Sequence, residues 1–168
     1  MFLKIIQRGF WREETLRNIS DIIEEYLKQI LEMSEEEILE IKRSEIASKF
    51  QCVPSQINYV INTRFTLERG YLVESKRGGG GYIRIIKVRP NSKKHLIDQL
   101  FAIIGNQIPQ SSATDIINRL RKEGVINERE EKIMLSALDR SVIYLDLPER
   151  DLIRARILKA MLLTLKYE

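Results

Sequence analysis

Ile19, Ile22, Ile23, Tyr26, Leu27, Ile30 and Leu31 recur at three- and four-residue spacing, which predicts an amphipathic helix. Asn18 or Ser20 can cap it, and Asp21 and Glu24 stand where a helix N-terminus favours acids. Ser34 to Glu40 reads as a short acidic connection, and Ile41-Lys42-Arg43 as a short strand. A second helix is predicted over Ser44 to Phe50, with Arg43 or Ser44 near its start. The pattern breaks at Gln51-Cys52-Val53. Pro54 then suits the first turn of a third helix, because its missing N–H has no helical partner there anyway. In that helix, Pro54 to Phe65, the buried stripe is Ile57, Val60, Ile61 and Phe65. Ser55, Gln56, Asn58, Tyr59, Asn62, Thr63 and Arg64 fall mostly on its other faces.

After Gly70 the period changes. Tyr71 to Lys76 and Tyr82 to Val88 read as two strands, separated by Arg77 and four glycines, Gly78 to Gly81. That is a β-hairpin with a side-chain-free tip. A nucleotide-binding P-loop is excluded, since it needs Gly-Lys-Ser/Thr opening a helix and these glycines lead into a strand. Arg89-Pro90-Asn91-Ser92 is the expected domain boundary. Beyond it come four helical patterns. The first carries Leu96, Ile97, Leu100, Phe101, Ile103 and Ile104 and stops at Gly105-Asn106. The second is led in by Ser111, Ser112 and Thr114, carries Ile116, Ile117 and Leu120, and stops near Gly124. Asn127 starts the third, with Ile133, Met134, Leu135 and Leu138. Pro148 opens the last, through Leu152, Ile153, Ile157, Leu158, Met161, Leu162 and Leu165. Four short helices make a thin core, so dimerisation through this region is expected to bury more of it.

The fold class is therefore α+β: a winged helix-turn-helix over residues 16–90 and an all-α dimerisation bundle over 91–168. Two short helices joined by a tight turn, the second rich in Gln, Asn, Ser and Arg outside its core stripe, match a helix-turn-helix, and a hairpin directly after it is a wing. Gln, Asn and Arg can pair with base edges bidentately. Lys76 and Arg77 at the hairpin would face phosphates or a minor groove.

Charge sharpens this picture. The 168 residues carry a net charge of +4, unevenly spread. Arg17 to Glu40 holds two basic and eight acidic residues, whereas Ile41 to Arg89 holds ten basic and three acidic. A concentrated basic segment is what a phosphate-binding surface needs. Other chemistry falls away. No uninterrupted apolar run approaches the roughly 20 residues of a membrane helix. One cysteine, Cys52, forbids an internal disulfide and fits a reducing, cytoplasmic compartment. With one histidine, His95, a Cys/His zinc site has too few ligands. No carboxylate pair or nucleophile–base set suggests an enzyme, and no cofactor is expected. His95, beside Lys93 and Lys94, is expected on an exposed turn, and Cys52 as a small buried hydrophobe. The alternative is a winged helix whose wing binds a protein or RNA.

Residues 1–15 have no long apolar core and no small-residue cleavage site, so they make a poor signal peptide. Arg12-Glu13-Glu14 can be encoded by AGG GAG GAG, a purine run resembling a bacterial ribosome-binding site, and Leu16 by the alternative start codon TTG. The native chain is accordingly expected to start at Leu16, with residues 1–15 non-native or disordered.

The stretch KRSEIASKFQCVPSQINYVINTRFTLERGYLVESKRGGGGYIRI, Lys42 to Ile85, closely resembles the CtsR family, the class III stress-gene repressors of low-GC Gram-positive bacteria. The likeness begins at RNISDIIEEYLKQIL, Arg17 to Leu31, and resumes in RDLIRARILKAMLLTLKY, Arg150 to Tyr167. The resemblance implies a dimeric repressor of heat-shock genes, including those of the Clp protease system, on a tandem heptad-repeat operator in double-stranded DNA. It implies a recognition helix in the major groove and a wing in the minor groove. The DNA-binding residues would be Arg43, Lys49, Ser55, Gln56, Asn58, Tyr59, Asn62, Thr63, Arg64, Lys76, Arg77, Gly78, Gly79, Gly80, Gly81 and Tyr82. It also implies a heat-sensing glycine loop, a protein arginine kinase and a Clp protease as partners, and Arg77 as the first choice for phosphorylation.

Overall fold

The computed structural model describes residues 18–76 and 81–167. Residues 1–15, and with them the expected start at Leu16, lie outside the described residues, as do Arg77 and Gly78 to Gly80. Among the described residues, seven helices and three strands follow in the order α1 (Ile19–Met33), β1 (Ile38–Ile41), α2 (Arg43–Lys49), α3 (Pro54–Arg64), β2 (Tyr71–Ser75), β3 (Ile83–Lys87), α4 (Lys93–Ile104), α5 (Gln110–Lys122), α6 (Glu128–Leu138) and α7 (Glu149–Lys166). The α+β winged helix-turn-helix followed by a helical bundle is the fold that forms. The described residues divide into two compact units: those of 18–65 with Val73–Lys87, and Thr66–Leu72 with those of 88–167.

In the N-terminal unit, Asn18 caps α1 by accepting from the Ser20 N–H at 3.1 Å. The apolar stripe of α1, Ile23, Leu27 and Leu31, is buried with Ile57, Val60 and Ile61 of α3. The sheet order is β1-β3-β2. β1 is antiparallel to β3, with Ile41 opposite Ile83 and Leu39 opposite Ile85. The expected strand Ile41-Lys42-Arg43 is shifted toward the N-terminus. Glu37 takes a positive φ of 53° and turns the chain, Ile38 to Ile41 form the pairing residues, and Arg43 already opens α2. The acidic connection is therefore shorter than expected, because Ile38 and Leu39 find Ile86 and Ile85 across the ladder.

The C-terminal unit is built round Leu96, Ile97, Leu100, Ile104, Ile116, Ile117, Leu120, Leu158 and Leu162. α4 packs on α7, α5 on α6 and α7, and α6 on α7. Asn127 and Glu130 form a reciprocal capping box at the start of α6. α5 begins at Gln110, earlier than expected. The Gln110 side chain ties it down, donating to Asp139 Oδ2 at 2.8 Å and accepting from the Arg140 N–H at 3.0 Å. Ile133 and Leu152, expected in the helical core, are exposed. His95 lies in the first turn of α4, exposed, with a ring nitrogen 3.0 Å from Gln99 Nε2.

Two arginines are buried in this unit. Arg119, 3% exposed, donates from Nη1 to the Leu67 carbonyl at 2.9 Å. Burial pushes its pKa below the ordinary arginine value. A Cβ on Gly70, whose φ is +91°, would come within 3.2 Å of Arg119 Nε, so glycine answers both the backbone conformation and the close approach. Arg154, 1% exposed, donates to the carbonyls of Leu138 at 2.9 Å and Ile108 at 3.1 Å and pairs with Asp151.

Candidate nucleic-acid interface

α2 and α3 are joined by a turn that needs no glycine. Gln51 adopts φ +51°, and the Cys52 N–H donates to the Ala47 carbonyl at 2.9 Å, closing the end of α2. Ala47 is buried, as a small residue at a close helix crossing should be. Cys52 is only half-buried, because it sits in the turn and not beneath it. Val53 is extended and Pro54 occupies the first turn of α3.

Burial of Ile57, Val60, Ile61 and Phe65 settles which way α3 faces. Ser55, Asn58, Tyr59, Asn62 and Thr63 are exposed, so the helix presents hydroxyl and amide groups and one phenol. Tyr59 is 54% exposed, far more than a tyrosine serving only as core. The Thr63 hydroxyl donates back to the Tyr59 carbonyl at 2.7 Å, leaving its lone pairs outward.

Gln56 and Arg64 are placed differently from their neighbours. The Gln56 amide donates to Oγ of the buried Ser20 at 2.6 Å. Arg64 meets Asp21 at 3.1 Å and Glu24 at 3.5 Å. Both side chains hold α3 against α1. The acids of α1 thus neutralise a cation that composition alone counted toward the basic surface. Sequence reasoning missed this fastening, although Asp21 and Glu24, three residues apart on one helix face, were its signal.

Arg43, at the start of α2, reaches both neighbouring elements. Its Nε donates to Asn58 Oδ1 and its Nη2 to Ser75 Oγ at 3.2 Å. Lys49 is exposed and lies over the Tyr26 ring at 4.9 Å, and Tyr26 packs edge-on against Phe50 at 5.2 Å. The Lys76 N–H donates to the Tyr82 carbonyl at 3.0 Å, and the Lys76 ammonium lies 5.7 Å from the centre of the Tyr82 ring. A Cβ on Gly81 would come 3.2 Å from the Lys76 carbonyl. On the sheet, Arg84 is clasped by Glu40 at 2.6 Å with Glu74 at 3.7 Å, and the Glu40 hydrogen bond raises its pKa. Arg84 is therefore spent on its own sheet. Among the described residues no group of His, Cys, Asp and Glu could hold a metal ion, and no helix is long and apolar enough to cross a membrane.

Comparison with known proteins agrees with this geometry. Residues 18–89 match the CtsR N-terminal HTH domain, and residues 92–163 match the CtsR C-terminal dimerization domain. The transcriptional regulator CtsR of Geobacillus stearothermophilus is 72% identical over 151 residues, which is 90% of this chain and 99% of that protein. The Bacillus subtilis transcriptional regulator CtsR is 64% identical over 149 residues, 89% of this chain and 97% of that protein. A crystal structure of CtsR in complex with a 26bp DNA duplex superposes with a TM-score of 0.87 at 72% identity, covering 90% of this chain and 100% of that one. These relatives are named regulators and not enzymes. This chain belongs to the CtsR family of transcriptional regulators.

Proposed function

We propose that this protein is a dimeric, sequence-specific DNA-binding repressor of heat-shock genes of the clp type. The observation that carries the reading is the exposed polar face of α3, with Ser55, Asn58, Tyr59, Asn62 and Thr63 outward and Arg43, Lys49 and Lys76 in the same unit. The helix enters the major groove of a tandem heptad-repeat operator, where amides and hydroxyls read base edges. The lysines and the glycine-rich hairpin, Gly78 to Gly81 with Arg77 and Tyr82, contact phosphates and the minor groove. Gln56 and Arg64 serve by holding the recognition helix to α1. Residues 16–90 carry the DNA-binding role and residues 91–168 pair two copies, so that two α3 helices face two half-sites. The relative crystallised on a 26bp duplex supports this assignment.

Release follows from the hairpin's composition. Glycine gives up more conformational freedom on ordering than any other residue, so four in succession make a contact that weakens steeply on warming. Phosphorylation of Arg77 by a protein arginine kinase replaces a cation with an anion, and attraction to a DNA phosphate becomes repulsion. Clp proteolysis then removes the released repressor.

Fluorescence anisotropy on a tandem heptad duplex, with a scrambled duplex as control, tests the reading at low and heat-shock temperatures. Specific binding that collapses on warming before the protein unfolds is expected, and Gly79→Pro should move the release temperature. Equal, salt-sensitive binding to both duplexes would overturn the operator reading and favour a wing that binds protein or RNA. A release curve unchanged by Gly79→Pro would reject the hairpin as sensor.

A further inference from the structure

Among the described residues, Arg43 stands apart from the other arginines of its unit. Arg64 and Arg84 are paired with carboxylates, whereas Arg43 donates to two neutral side chains, Asn58 on the recognition helix and Ser75 on β2. The chemistry of those two bonds has consequences for reading.

An asparagine amide carries one acceptor oxygen and two N–H donors, and a free amide can flip to offer either. A guanidinium can only donate. Its bond to Asn58 Oδ1 therefore fixes the amide's orientation, takes one of the oxygen's two lone pairs and leaves both Nδ2 donors for a ligand. Donors match acceptor-bearing base edges, such as guanine O6 and N7 or thymine O4. They do not match the exocyclic amine of cytosine, and the bidentate adenine pairing is restricted to the one Oδ1 lone pair that Arg43 leaves. The second bond, to Ser75, ties the strand leading into Lys76 to the same guanidinium. One side chain thus sets the amide on α3 and the position of β2 beside it.

We propose that Arg43 is a positioning residue for sequence readout. It orients Asn58 as a donor and joins the recognition helix to the wing strand, and it does not serve as a phosphate contact. The proposal rests on the DNA-binding reading above.

The test uses the full chain with Arg43→Lys, Arg43→Gln, Ser75→Ala and Asn58→Ala. Each is titrated against operator, scrambled duplex and operators substituted base by base, over a salt series, with circular dichroism confirming the fold. The expected result is that Arg43→Lys and Arg43→Gln keep the wild-type salt slope but lose roughly tenfold in the operator-to-scrambled ratio. Base preference should relax at the position read by Asn58, and Arg43→Lys should add nothing in an Asn58→Ala background. Ser75→Ala should lose roughly threefold, which probes the strut without touching the start of α2. A salt slope reduced by about one in Arg43→Gln, with base preference unchanged, would make Arg43 a phosphate contact and overturn the proposal. Failure of the wild-type chain itself to prefer operator over scrambled duplex would overturn the DNA-binding reading, and this proposal with it.

Discussion

The same residue type is used in opposite ways in the two units. In the N-terminal unit Arg43, Arg64 and Arg84 lie at the surface and hold side chains of neighbouring elements. In the C-terminal unit Arg119 and Arg154 are buried and hold backbone carbonyls. Surface pairs contribute little to stability, since water competes for both partners. Buried ones are strongly destabilising to break, because the groups left behind lose their partners away from water. The lesson is a division of labour: the half-exposed arginines of the N-terminal unit link side chains of neighbouring elements, and the buried ones hold the backbone of the helical unit.

Arg154→Met offers the severest challenge to that contrast. It strands the Leu138 and Ile108 carbonyls and leaves Asp151 without its cation. A loss of about 3–5 kcal/mol in urea unfolding of the full chain is expected; less than about 1 kcal/mol would erase the difference between the units. Arg119→Met should cost about 1–3 kcal/mol by the same measurement, as the Leu67 carbonyl goes unpaired. Asn62→Ala, on the exposed face of α3, should weaken operator binding by about 1–3 kcal/mol with the melting temperature unchanged. Arg64→Met, despite meeting two acids, should cost under about 1 kcal/mol of stability.

The smallest effect is one of pH. Asp139 has its pKa lowered, first by the Ser141 hydroxyl, then by the Ser141 N–H and the Gln110 amide. A depressed carboxylate pKa contributes stability above its ordinary value and loses it as pH falls through the lowered one. Ser141→Ala should therefore be less stable than wild type at neutral pH. The gap should close in urea titrations carried down into the acid range, and a gap constant with pH would assign the effect to something other than Asp139.

The helices were legible because apolar residues at three- and four-residue spacing leave few alternatives. Ile23, Leu27 and Leu31, or Leu158 and Leu162, could be assigned from spacing alone. The exposed side of α3 followed by subtraction. What stayed hidden was partnership across long separations. Gln56 and Arg64 looked like their neighbours on the polar face until Ser20, Asp21 and Glu24 were seen opposite them. Nothing local marks Arg119 or Arg154 as buried, since an arginine on a helix normally reaches water. β1 slipped because four residues carry little periodic signal, and its place depends on the ladder to β3. Ile133 and Leu152 show the reverse error, apolar residues that fit a stripe in one dimension yet face outward.

Thr66 to Leu72 belongs with the helices after Val88, not with the residues immediately before it. The chain consequently passes between its units three times, near residues 65, 72 and 87. A recombination event that joined the first 90 residues to a foreign partner would carry Leu67 and Gly70 away from Arg119. The two halves are thus poor cassettes for exchange between genes. Lineages of this protein are expected to diversify by substitution within one inherited frame, and less by shuffling its parts.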